Sequence, residues 1–242
     1  MIPIGDENWD RQRWPIVTAL FILANVVLFL YEVSLQELGP RALQAFIARW
    51  GVVPREYGTL QDLPPQIDLP FWSTLVTSMF LHGGWGHLLG NMLYLWVFGD
   101  NVEDRLGRGR FIMFYVLTGI FAALVQVAVN PASTIPTVGA SGAISGVLGA
   151  YLVLFPRKRV KVLFVWVILE VPAVVVIGMW ALTQFVSGLG TLSVNHAQET
   201  GGVAYMAHVG GFVAGVIGAV LLGGRPRKGQ RRARPTWEPH WH

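Results

Sequence analysis

Apolar stretches long enough to cross a bilayer recur along this chain, and they dictate what it can become. Hydrocarbon offers no water to satisfy backbone amides, so a crossing segment must be a helix or part of a closed barrel. A helical crossing needs roughly 20 predominantly apolar residues. Six such stretches can be drawn, over 15–33, 84–99, 110–129, 139–155, 160–186 and 203–222. The second and fourth are short, and the fifth is long enough to tilt. Only 13% of the 242 residues are charged, about half of what a soluble domain carries. The expected fold is all-α: a polytopic membrane protein whose six-helix bundle occupies 14–222. It is flanked by an N-terminal tail (1–13) and a basic C-terminal tail (223–242). The long connection 34–81 mixes Leu35, Leu38, Leu43, Phe46 and Trp50 with Glu37, Arg41 and Arg49. That is the pattern of helices lying at the interface.

The absence of cysteine excludes disulfides, thiolate catalysis and cysteine-ligated metals. His196, His240 and His242 have no partner at metal-ligand spacing, and no metal or cofactor is expected. The first apolar run lacks a small-residue cleavage site and reads as a span that is retained. The net charge of +4 comes largely from Arg225, Arg227, Lys228, Arg231, Arg232 and Arg234. In so apolar a chain this run reads as a topology determinant with anionic lipid as its partner, and nucleic-acid binding is disfavoured.

Fifteen of the eighteen Lys and Arg fall in the N-terminal tail, the C-terminal tail and the connections after spans two and four. The remaining three lie after span one, and none lies after spans three and five. The positive-inside rule then places both termini in the cytoplasm, with the plasma (inner) membrane as the expected site. Spans two, four and six therefore start at the outer side. At about 1.5 Å per residue, His87, Asn91, Ser141 and His208 all lie roughly 5–12 Å below that boundary.

Polar groups at such depth are functional candidates by default, and a serine that meets a histidine has a base for its proton. Asn91, His87 and the Ser141 backbone N–H would face the charge that develops on an attacked carbonyl oxygen. Gly139 would let backbone or substrate approach closely. Small residues at every fourth position, Gly142, Gly146 and Ala150 against Gly211, Gly215 and Ala219, predict that spans four and six dock tightly. No Asp or Glu lies near the outer ends of spans two, four or six. The base is therefore expected to be oriented by packing, not by a carboxylate.

Taken in order, these motifs resemble the rhomboid intramembrane serine proteases. The matching residues are Thr74-Leu75-Val76-Thr77-Ser78-Met79-Phe80-Leu81-His82-Gly83-Gly84, His87-x-x-x-Asn91-Met92, the run from Phe98 to Gly107, Gly139-Ala140-Ser141-Gly142, and Ala207-His208-x-Gly210-Gly211-x-x-x-Gly215. Trp180, Gln184 and Trp50-Gly51-Val52-Val53-Pro54 resemble family features as well. The resemblance covers about 50–222. It implies a protease that cuts transmembrane segments of other membrane proteins through an acyl-enzyme. Ser141 would be its nucleophile and His208 its base, with His87 and Asn91 at the oxyanion and Trp180 and Gln184 on a gating fifth span. One departure stands out: many relatives carry an aromatic residue where this chain has Ser145, one turn after the serine. His82 is expected to tether the first loop. Asp100, Glu103, Asp104 and Arg105 are expected to form a structural cap. Glu170, expected inside span five just before Pro172, reads as protonated or locally hydrogen-bonded. As a proton relay it would instead suggest a transporter.

Overall fold

A computed structural model describes residues 2–8, 11–66, 69–193 and 203–223. The basic run from Arg225, together with His196, His240 and His242, lies outside the described residues. The chain begins with a strand, β1 (Ile2–Asp6), and enters α1 (Ile16–Glu37). The connection that follows holds α2 (Pro40–Trp50), α3 (Pro54–Thr59) and α4 (Thr74–Thr77), with a 3-10 turn on either side of α4. Then come α5 (Trp85–Leu106), α6 (Arg108–Val129) and α7 (Ser141–Leu154). A hairpin of β2 (Arg159–Phe164) and β3 (Val167–Pro172) leads into α8 (Ala173–Ser193), and α9 (Tyr205–Leu222) follows.

Four of these helices, α1, α6, α8 and α9, are long and apolar enough to cross a membrane. α5 is equally long but carries Asp100, Glu103, Asp104 and Arg105 in its last turns. α7 is apolar and only 14 residues long, about 21 Å at 1.5 Å per residue.

Two expectations are corrected. The fold is mostly helical but not all-α, because β1, β2 and β3 form an antiparallel sheet in that order. The fifth span does not run from 160: residues 159–172 are the hairpin, and the helix begins only at Ala173. Hydropathy is blind to this difference, since an apolar β-branched ribbon and an apolar helix score alike. Glu170 therefore sits on β3 opposite Lys161, exposed and 3.9 Å from Arg159, not inside a helix. Pro172 closes that strand and kinks nothing.

One end of the bundle is stitched together by polar side chains. α1 has Pro15 at its N-cap and no side-chain cap of its own. Its first turn is satisfied instead by the Glu103 carboxylate, which accepts from Val17 N–H (3.0 Å), Thr18 N–H (2.8 Å) and Thr18 Oγ1 (2.8 Å). The helix-start amides and their dipole reward a negative charge at that place. Arg11 reaches Asp100 at 2.7 Å. Lys158 Nζ donates to Asn101 Oδ1 (2.6 Å) and to the Glu7 carbonyl (2.7 Å), and Tyr151 donates to Asp6. Residues 2–6 of the segment expected as a tail are thus bound into the fold through β1.

At the other end, small residues set the helix spacing. A Cβ added at Gly211 or Gly215 would collide with the carbonyl of Gly142 or Gly146, so α7 and α9 touch backbone to backbone. A Cβ at Gly142 would come within 2.7 Å of Ala122, which brings α6 against the same pair.

Candidate active site

Ser141 is the first residue of α7, and the backbone before it is clamped on two sides. Val52 and Thr137 exchange both backbone hydrogen bonds (3.0 and 2.8 Å), and Gly139 N–H donates to the Ser78 carbonyl at 2.8 Å. Gly139 has φ 124°, and a Cβ there would lie 2.6 Å from His87 Cε1. Only glycine fits both the dihedral and the imidazole that packs on it. The α7 ladder opens with Ile144 N–H to the Ala140 carbonyl at 3.0 Å. The amides of Ser141, Gly142 and Ala143 precede the ladder and form the positive end of the helix.

His208 enters from α9, one turn inside that helix, and its Nε2 lies 2.7 Å from Ser141 Oγ. Its other nitrogen, Nδ1, lies 2.7 Å from Gln184 Oε1 on α8. An amide oxygen only accepts, so Nδ1 carries the proton and Nε2 presents its lone pair to the serine hydroxyl. This is the tautomer a general base requires. The aromatic support missing at Ser145 comes from elsewhere: Trp180 lies tilted at 6.0 Å from the His208 ring and Tyr205 meets it edge-on at 6.4 Å. Ser145 itself is buried and donates to the Ser141 carbonyl at 2.6 Å.

The oxyanion candidates form a second chain of contacts. Glu32, buried on α1, accepts the His82 backbone N–H at 3.1 Å, and His82 Nε2 lies 3.0 Å from Asn91 Nδ2. Burial, with His87 beside it, pushes His82 down to about 3. The ring is therefore neutral and accepts from the Asn91 amide, which keeps a second N–H for another partner. His82 and His87 rings lie 5.1 Å apart, edge to face.

His87, Asn91, Gly139, Ser141, Trp180, Gln184 and His208 all line one cavity of about 1240 Å³. That exceeds the roughly 300–1,000 Å³ of a small-molecule site and suits an extended chain. Among the described residues, no group of three or more His, Cys, Asp or Glu could hold a metal. Two contacts escaped the sequence reading. The resemblance implies only a gating place for Gln184, and the sequence alone does not fix the register of α8 that turns it toward His208. Glu32 does carry a signal in the sequence, since it is an acid within an apolar span.

These features define a helical membrane protein with a serine–histidine pair sunk into its bundle. The Rhomboid domain profile matches residues 70–225, well over half of the sequence. The chain is similar to Rhomboid-like protein 11, chloroplastic, of Arabidopsis thaliana (32% identity over 64% of this chain). It is also similar to Rhomboid protease GluP of Bacillus subtilis (30% over 86%). Rhomboid protein 1, mitochondrial, of Saccharomyces cerevisiae matches at 32% over 60%. The matches span 54%, 35% and 40% of those relatives' own lengths. The chain is an integral membrane protein of the rhomboid family.

Proposed function

We propose that this protein is an intramembrane serine endopeptidase acting on transmembrane segments of other membrane proteins. The observation that carries the reading is the relay Ser141 Oγ–His208 Nε2, His208 Nδ1–Gln184 Oε1, at 2.7 Å in each link. A Ser141 Oγ attack on a peptide carbonyl passes the hydroxyl proton to Nε2. The oxyanion is met by the second Asn91 N–H, by His87 and by the amides at the start of α7. Collapse breaks the C–N bond, Nε2 gives its proton to the leaving amine, and the acyl chain stays on Oγ. Water then loses a proton to Nε2 and attacks the ester; as the C–Oγ bond breaks, Nε2 returns that proton to Oγ, so the new carboxyl end leaves and the Ser141–His208 pair is restored. A helical substrate hides its peptide bonds, so it must unwind locally inside the cavity before attack. A catalytically silent relative would not need the base in the reactive tautomer.

In this reading six helices cross the bilayer: the four long apolar ones together with α5 and α7. Nine Lys and Arg, from Arg11 to Lys161, gather at the end opposite Ser141, against Arg41, Arg49 and Arg55 at the Ser141 end. The positive-inside rule then puts both termini in the cytoplasm of an inner-membrane protein, and the basic run from Arg225 meets anionic lipid there. α2, amphipathic and without buried residues, lies along the opposite interface. Trp180 and Gln184 on α8 close one side of the cavity and act on the substrate's way in. Purified protein in detergent is expected to be labelled covalently by a fluorophosphonate and to cleave a transmembrane reporter. Both activities should vanish in Ser141→Ala, and cleavage should vanish in His208→Ala. Cleavage surviving in either variant would refute the assignment.

A further inference from the structure

The β2–β3 hairpin takes no part in the site, yet it carries a concentrated patch of exposed apolar surface. Phe164, Val165, Trp166, Val167, Ile168 and Leu169 are 49, 67, 92, 58, 59 and 39% exposed. The strands pair without a break from Arg159↔Pro172 to Phe164↔Val167, so Val165 and Trp166 form a two-residue loop. Successive strand residues point to opposite faces, and therefore both faces of the tip are apolar and uncovered. Val165 adopts φ 57°, a left-handed conformation that asparagine or glycine would take at little cost and a β-branched residue resists. The needs of the turn do not explain this pair of residues. The root of the hairpin is built differently. Val160 and Val162 are fully buried, while Arg159 and Lys161 alternate with them on the exposed side.

We propose that this tip is a membrane-contact element. It dips into the headgroup–acyl boundary of the leaflet on the side opposite Ser141, with Lys161 and Arg157 at the level of the lipid phosphates. Three observations favour lipid over a protein partner. A protein surface would cover one face of the ribbon, whereas fluid lipid surrounds both. The chain passes from β3 into α8 without a linker, and α8 continues with exposed Val174, Val175, Met179 and Leu182. Beyond exposed Glu170 and Pro172 the chain thus runs into a helix long and apolar enough to cross a membrane, whose exposed face is of the kind lipid covers. Finally, Glu170, the only acid on the hairpin, is paired with Arg159, which leaves a net basic root toward anionic headgroups. Depth is limited by the backbone. β3 is an edge strand, and its outward amides and carbonyls would be penalised in hydrocarbon. Trp166, the most exposed of these residues, is of the type that prefers the interface.

The chain contains no cysteine, so Trp166→Cys introduces a single thiol for a nitrobenzoxadiazole dye. The labelled full chain is reconstituted into phosphatidylcholine–phosphatidylglycerol vesicles carrying nitroxide lipids spin-labelled either near the headgroup or near the acyl terminus. An interfacial tip lying roughly 5–10 Å deep should be quenched at least about twofold more by the shallow nitroxide than by the deep one. Iodide should quench it several-fold less than it quenches the same dye on free cysteine. Full iodide quenching without lipid quenching would place the tip in water and overturn the proposal. Shielding from iodide without lipid quenching would show a protein contact and overturn it equally. Stronger quenching by the deep nitroxide would overturn the interfacial depth. Val167→Cys, labelled and measured in the same way, replaces the first variant if that protein is not monodisperse.

Discussion

Replacing Gln184 by leucine keeps most of the side-chain volume and removes the oxygen that accepts from His208 Nδ1–H. A neutral hydrogen bond contributes about 0.5–1.5 kcal/mol and one to a charged group about 1.5–3 kcal/mol. The imidazole is neutral before attack and cationic at the tetrahedral stage, so this 2.7 Å bond strengthens during the reaction by about 1–2 kcal/mol. At 1.36 kcal/mol per decade, its loss lowers kcat by about 5–30-fold. KM should stay within about twofold, because the bond contributes little to ground-state binding. Two controls separate orientation of the base from gating. Gln184→Glu keeps an accepting oxygen and should restore most of the rate. A small fluorophosphonate needs no helix-sized opening, so its labelling rate should fall in Gln184→Leu in step with kcat. Unchanged or faster labelling by that probe, with only the transmembrane reporter affected, would refute the orienting role and leave Gln184 to the gate.

Asn91→Ala should reduce kcat by about 10²–10³-fold with little change in KM, as loss of one oxyanion donor does; a deficit under about threefold in steady-state cleavage would remove Asn91 from the chemistry. Gly215→Val forces a branched side chain into the Gly146 backbone and should destabilise by at least about 1–3 kcal/mol, read as a lowered Tm in detergent. Glu103→Ala leaves the first turn of α1 without the carboxylate that accepts three hydrogen bonds. It should cost about 2–3 kcal/mol while the surviving folded fraction keeps its fluorophosphonate labelling rate.

That Ser141 and His208 meet could be read from the sequence because two independent patterns point to it. Both lie at one depth under the positive-inside arrangement, and both adjoin small-residue stripes that determine which helix faces meet. Those stripes act through backbone contact, which depends on little besides the absence of side chains, so Gly142–Gly211 and Gly146–Gly215 were legible in advance. The Gln184–His208 bond was not, because it depends on where α8 begins. With 160–186 drawn as one helix, the rotation of position 184 had no anchor. The hairpin itself left a faint signal in Val-Lys-Val-Leu-Phe-Val-Trp-Val-Ile-Leu, a β-branched run that suits a pleated strand better than a helix. Hydropathy outweighed it. β1 was missed for another reason: Ile2–Asp6 is too short to declare itself and is a strand only because β2 offers an edge to pair with.

Ser141 and His208 are mounted on the two helices whose backbones touch, whereas the Gln184 amide that meets His208 hangs from α8, a helix with much of its surface bare. An outward swing of α8 would strip Nδ1 of its acceptor while leaving the 2.7 Å approach of Ser141 to His208 intact. If the proposed activity holds, admission of a peptide and readiness to cut it would then alternate: the pocket would be least reactive while the door stood open, and would regain its full basicity only when α8 returned against the bound chain.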